Sequence, residues 1–162
     1  MLLTGHVTEL RLGSSNDTIA SRIKKAGRIK LGGKLSPALL DLKHLSYLDL
    51  SNNDFDPTQI PYWFWSLTSH LHYLNISGNQ VKGKIPDLLI KHAFLVLDLS
   101  CNNFTGSLPG ISLNVTALDL SNNVLSGRMS QFLCHKKHQM RLEVLNHEGN
   151  LLSGEMEKFG GH

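Results

Sequence analysis

The chain has 162 residues, 41% hydrophobic and 18% charged, with 16 Lys and Arg against 13 Asp and Glu for a net charge of +3. That length and composition suit one globular domain with its own core and exclude a disordered or fibrous chain. The small positive surplus does not argue for a nucleic-acid binder, and no window approaches the roughly 18 apolar residues of a membrane span.

The opening, MLLTGHVTEL, has neither a basic leader nor an apolar run of the roughly 7–15 residues that a signal sequence needs. Val7-Thr8-Glu9-Leu10-Arg11-Leu12 reads as a short strand whose continuation resumes only at Leu31-Gly32-Gly33-Lys34-Leu35-Ser36-Pro37. Residues 15–30 interrupt it. From Arg22 through Lys24, Lys25, Arg28 and Lys30 to Lys34 there is no acid. The stretch reads as a solvated surface insertion, and the functional alternative is contact with an anionic polymer.

From Leu45 onward a phrase recurs. Leu45-Ser-Tyr-Leu48-Asp-Leu50-Ser-Asn-Asn53 is followed by Leu71-His-Tyr-Leu74-Asn-Ile76-Ser-Gly-Asn79 and Phe94-Leu-Val-Leu97-Asp-Leu99-Ser-Cys-Asn102. Val115-Thr-Ala-Leu118-Asp-Leu120-Ser-Asn-Asn123 and Leu142-Glu-Val-Leu145-Asn-His147-Glu-Gly-Asn150 complete the series. The second leucines stand at 48, 74, 97, 118 and 145, at steps of 26, 23, 21 and 27. The pattern LxxLxLxxN at such a step is the leucine-rich-repeat signature.

Each letter has a physical reason. The LxL core is a strand, so its leucines point one way and its x residues the other. The closing Asn carries both a donor and an acceptor for backbone groups that a bend leaves unpaired. The apolar residue two places on (Phe55, Val81, Phe104, Leu125, Leu152) closes the core from the far side. No unit buries its leucines alone, so the units stack. The expected fold is an α/β repeat solenoid, a leucine-rich-repeat right-handed superhelix with a parallel β-sheet on its concave face. It forms one domain over 1–162, with an interrupted first repeat at 1–37 and five repeats over 42–157.

Outward positions of the strands supply the candidate ligand-binding residues: Tyr47, Asp49, His72, Tyr73, Asp98 and Asp119. Tyrosines and a histidine are partner-anchoring side chains. The recurring Asp could serve acid–base chemistry, but it belongs to the repeat phrase itself. With no nucleophile and base at matching positions, no enzyme is expected, and no cofactor. Trp63, Phe64 and Trp65 lie between rungs, where at least one is expected to pack on the core edge.

Nine histidines invite a metal reading, above all CHKKH at 134–138. One loose cluster beside two lysines is not the paired spacing of a zinc site, so no metal is expected. Cys101 and Cys134 fall about a repeat and a half apart and read as free thiols, with a bridge as the alternative. His147 fills a leucine slot and is expected to stay exposed at a frayed last rung. The sequons at Asn16, Asn75, Asn103 and Asn114 are glycosylation candidates, and a glycan on Asn75 would occupy the concave face.

The longer phrase LxxLxLxxNxLxGxIP, almost complete at 71–86 and nearly so at 94–109, resembles the plant class of leucine-rich repeats. TGHVTELRL (4–12), LSPALLDLKHLSYLDLSNN (35–53) and LEVLNHEGNLLSGE (142–155) are similar to ectodomains of plant receptor-like proteins of the disease-resistance type. The resemblance implies a non-catalytic recognition module of a plasma-membrane receptor, facing outside, with a peptide or protein ligand and a co-receptor kinase, and no nucleic acid. It also implies a signal peptide, caps and a membrane span that this sequence does not spell. The Cys134 of FLC lacks the partner the family places after the next repeat, and IPYWFWSLTSHLHYLNIS resembles a late repeat set early. Two alternatives are a soluble inhibitor of a cell-wall-degrading enzyme and a truncated product without independent function. For the basic insertion, the functional alternative to a solvated loop is binding to acidic wall pectin.

Overall fold

The computed structural model describes residues 5–14, 30–56, 59–87, 93–110, 114–130 and 141–154. The repeat phrase folds into an inner sheet of parallel strands: β1 (Glu9–Arg11), β3 (Tyr47–Asp49), β5 (Tyr73–Asn75), β7 (Val96–Asp98), β9 (Ala117–Asp119) and β11 (Val144–Asn146). Alternate strands in chain order are neighbours in space, as in a solenoid. The register aligns Leu10, Leu48, Leu74, Leu97, Leu118 and Leu145 in one row. Leu48, Leu74 and Leu97 are fully buried, with Leu50, Ile76, Leu99 and Leu120 behind them. At the outer rungs Leu10 and Leu145 are only half-buried, because a terminal rung has one described neighbour instead of two.

After each inner strand from β3 to β11 the chain bends through a residue in the left-handed region: Asn52, Gly78, Cys101, Asn122 and Gly149. Asn and Gly tolerate that conformation, which accounts for the SNN, SGN and EGN spellings; Cys101, at φ 53°, does not gain the same relief. The amide oxygen of Asn53 accepts from the N–H of Leu31 at 2.9 Å, which gives Leu31 the place held by Val81 and Phe104 in later rungs. His147 departs from expectation: it is half-buried, since the slot it occupies still faces the leucine interior. Residues 15–29 of the insertion, the 134–138 cluster with Cys134, and Asn16 lie outside the described residues.

The asparagines form a ladder. Asn102 Nδ2 donates to Ile76 O of the preceding rung and to Leu99 O and Ser100 O of its own. Its Oδ1 accepts from Val81 N at 3.1 Å. Asn123 and Asn150 repeat this one and two rungs on. Leu50, Ile76, Leu99 and Leu120 each lend one carbonyl to two asparagines, their own and the next rung's. Both lone pairs are thus used, and every such Asn ties two rungs together.

The outer strands are less continuous than the inner ones. β6 (Lys82–Lys84), β8 (Asn103–Gly106), β10 (Val124–Arg128) and β12 (Leu151–Ser153) form one parallel sheet, while β2 (Gly32–Gly33) and β4 (Asp54–Phe55) form another. Between β4 and β6 the sheet is split, and a single bridge from Gln59 to Lys82 is the pairing that remains on that side of β6. The longer unit from Leu48 to Leu74 uses its extra residues for helix α1 (Tyr62–Leu67). Phe64 and Trp65 are buried in the core, whereas Trp63 is half-buried and Tyr62 lies outside it. Next to the split, Asn79 Oδ1 is buried without a partner. The rule of the ladder assigns it the N–H of Phe55, a bond that is not made where the outer sheet is split.

Candidate functional site on the inner sheet face

The inner sheet presents three rows of outward side chains. Register sets Glu9, Tyr47, Tyr73, Val96, Ala117 and Val144 side by side at the first strand position. The third position carries Arg11, Asp49, Asn75, Asp98, Asp119 and Asn146. Just before the strands come Ser46, His72, Leu95, Thr116 and Glu143.

Tyr47 and Tyr73 are stacked, with ring centroids 4.0 Å apart and planes 4° from parallel. The other face of Tyr47 carries the Arg11 guanidinium carbon at 4.1 Å from the ring centroid. Arg11 also donates to Tyr47 Oη at 3.1 Å and is held by Glu9 through Nη2, likewise at 3.1 Å. A guanidinium over a ring and a stacked aromatic pair both rigidify their members before any partner arrives. Burial first, and hydrogen bonding with Tyr73 second, push the Tyr47 hydroxyl up to about 12. The hydrogen bond to Glu9 raises the Arg11 guanidinium further above its already high value.

The carboxylate row has a local role. Asp49, Asp98 and Asp119 each accept, through Oδ1, the N–H two residues on, from Ser51, Ser100 and Ser121 at 2.9, 3.0 and 2.9 Å. Asn75 and Asn146 do the same toward Ser77 and Glu148. These are Asx turns that start the bend, so the repeat itself requires an oxygen there, charged or not. Asp119 Oδ2 additionally accepts from Asn146 Nδ2 at 3.2 Å.

The structure therefore brings Tyr47, Tyr73, His72 and the three aspartates onto one face, His72 being exposed beside Tyr73. Sequence reasoning missed Arg11 and Glu9. The signal was present in VTEL and RL at the same repeat positions as the later rungs, but the insertion hid that rung 1 stacks on rung 2. Of the sequons, Asn75 is half-buried in β5, Asn103 is exposed on β8 away from the inner face, and Asn114 is exposed. Cys101 is an exposed free thiol. On the opposite side, the split between β4 and β6 opens a cavity of 370 Å³ lined by Leu35, Pro37, Phe55, Ile60, Trp63 and Val81 among others. Among the described residues no helix is long and apolar enough to cross a membrane.

The family model described as Leucine Rich Repeat matches residues 44–67, 70–91 and 94–113. The chain is 42% identical over 101 residues, 62% of its length, to Receptor-like protein EIX1 of Solanum lycopersicum, covering 10% of that protein. It is 35% identical over 159 residues, 94% of its length, to Receptor-like protein 53 of Arabidopsis thaliana, covering 16% of that protein. Two solved Arabidopsis thaliana structures share the fold at 28% identity. The BIR3–SERK2 complex does so with a TM-score of 0.67 over 90% of this chain and 69% of that one. The receptor kinase HAESA, solved with the peptide hormone IDA and the co-receptor SERK1, gives 0.61 over 80% and 27%. The chain thus spans at most about a sixth of the length of these curated relatives. Rung phrase, asparagine ladder and relatives agree: the chain is a leucine-rich-repeat solenoid of the plant receptor-like-protein kind.

Proposed function

We propose that this chain is a non-catalytic recognition module of a plant extracellular receptor-like protein, acting on the outer side of the plasma membrane in defence signalling. Its inner sheet face holds a peptide or protein ligand, and a co-receptor kinase completes the signal. One observation carries the reading: the Arg11–Tyr47–Tyr73 stack stands preorganised on an open sheet face. Aromatic and Arg side chains held rigid before binding lose little entropy on contact, which is the property of an anchor. HAESA, a structural neighbour, is solved with a peptide hormone and a co-receptor, which supports the same class of partners here. The Asx-turn role of the aspartates supports reading them as part of the repeat.

Selection of displayed random peptides against the full chain tests this. Enriched peptides are expected to lose binding to Tyr73→Ala. A selection whose winners ignore both Tyr47→Ala and Tyr73→Ala overturns the reading.

A further inference from the structure

The inner face has a charge pattern opposite to that of the whole chain. Across the fifteen outward positions of the five rungs from β3 to β11 stand Asp49, Asp98, Asp119 and Glu143, one histidine, and no Lys or Arg. The chain as a whole carries a net +3. Along the same face runs an apolar stripe in register: Tyr47, Tyr73, Val96, Ala117 and Val144, with Leu95 beside it. Leu95 is 43% exposed and Val144 58%, so the stripe is uncovered in the described structure. The stack marks one end, because Tyr47 is already sandwiched between Arg11 and Tyr73 while Tyr73 faces the aliphatic row beyond it.

Five rungs at the usual strand spacing give the stripe a length of about 19 Å, which matches about six residues of extended peptide. Alternate side chains of such a peptide point the same way, so one set lies on the stripe and the other reaches the third-position row. That row carries Asp98 and Asp119 on adjacent rungs. Their turn bonds to neutral N–H groups leave the negative charges in place.

Building on the recognition reading above, we propose that the partner of this face is an extended cationic peptide segment. Its aliphatic or aromatic side chains lie on Tyr73, Val96 and Val144, and its Lys or Arg side chains reach Asp98 and Asp119. Complementary charge selects the partner and its orientation, and the apolar stripe supplies most of the contact. Acidic peptides are rejected by the same four carboxylates.

The chain itself suggests the substitution. Asn already serves the same turn at positions 75 and 146, so Asp98→Asn with Asp119→Asn removes two charges and keeps the Oδ1 acceptor of each turn, while giving up the bond that Asp119 Oδ2 accepts from Asn146 Nδ2. Two labelled hexapeptides serve as probes, one alternating Leu and Lys, the other Leu and Glu, followed by fluorescence anisotropy at low salt. The Leu–Lys probe is expected to bind the wild-type chain and to weaken about five- to tenfold with the double variant, with a matching weakening at high salt. The Leu–Glu probe is expected not to bind. Equal affinity of the Leu–Lys probe for both proteins overturns the inference, as does equal binding of the two probes. So does the absence of Leu–Lys binding up to about 1 mM. If Tyr73-dependent peptides from the display selection lack basic residues, the charge rule fails while the recognition reading stands.

Discussion

Two stretches of the same solenoid are built from the same phrase and end differently. From Val81 to Leu125 the outer strands pair, Asn102 and Asn123 are bonded at both ends of the amide, and Phe104 is fully buried. Around Phe55 and Asn79 the outer sheet is split, Phe55 is half-buried and borders a cavity, and Asn79 Oδ1 has no partner. The inner strands are equally regular in both. The difference shows that the phrase governs the inner face, while the return path decides whether the far side closes.

Substitution of the paired phenylalanines separates the regions most sharply. Phe104→Ala leaves a cavity in a closed core and is expected to cost about 4 kcal/mol, against about 1–2 kcal/mol for Phe55→Ala, read from urea unfolding. Similar losses for both would mean that the split closes in solution. The asparagines come next. Asn102→Ala strips donors from three carbonyls and an acceptor from Val81 N, an expected loss of about 3 kcal/mol. Asn79→Ala loses only the donor half, so its cost should be lower by about 1 kcal/mol.

A gain is expected at Cys101. Its left-handed backbone at φ 53° is the place where neighbouring rungs use Gly or Asn, so Cys101→Gly should stabilise the chain by about 1 kcal/mol in thermal unfolding. Gly78→Cys, the reciprocal change, should destabilise, because a Cβ there meets Asn52 Oδ1. The smallest effect concerns pH. Tyr47 titrates at about 12, above its ordinary 10, because the fold favours the neutral hydroxyl. Its contribution to stability is therefore complete below pH 10 and disappears as pH rises toward 12. Ultraviolet titration of tyrosinate should reveal this late ionisation and lose it in Tyr47→Phe; an ordinary midpoint in the wild type would remove the stack's protective role.

Much of the candidate face was legible beforehand, for a definite reason. Strand alternation places Tyr47, Tyr73 and the aspartates outward with no knowledge of the rest of the chain. The aspartate row looked like chemistry or like grammar, and the bonds to Ser51, Ser100 and Ser121 reveal its part in the turn, which the sequence alone did not spell out. His147 was expected in solvent and is half-buried, since a polar residue in a core slot follows the backbone that holds it.

The sequence by itself determined the rung: its leucine interior, its left-handed turn residue, and the asparagine that binds the bend. Each of those is set by contacts within a few residues, or with an identical neighbour one repeat away. Only the tertiary structure decided how unlike segments meet. Arg11 lies on Tyr47 across 36 residues because β1 pairs directly with β3. Asn79 Oδ1 goes without the bond that Phe55 N would supply, in the unit that also carries helix α1, and no local rule specifies where a longer return path must lie.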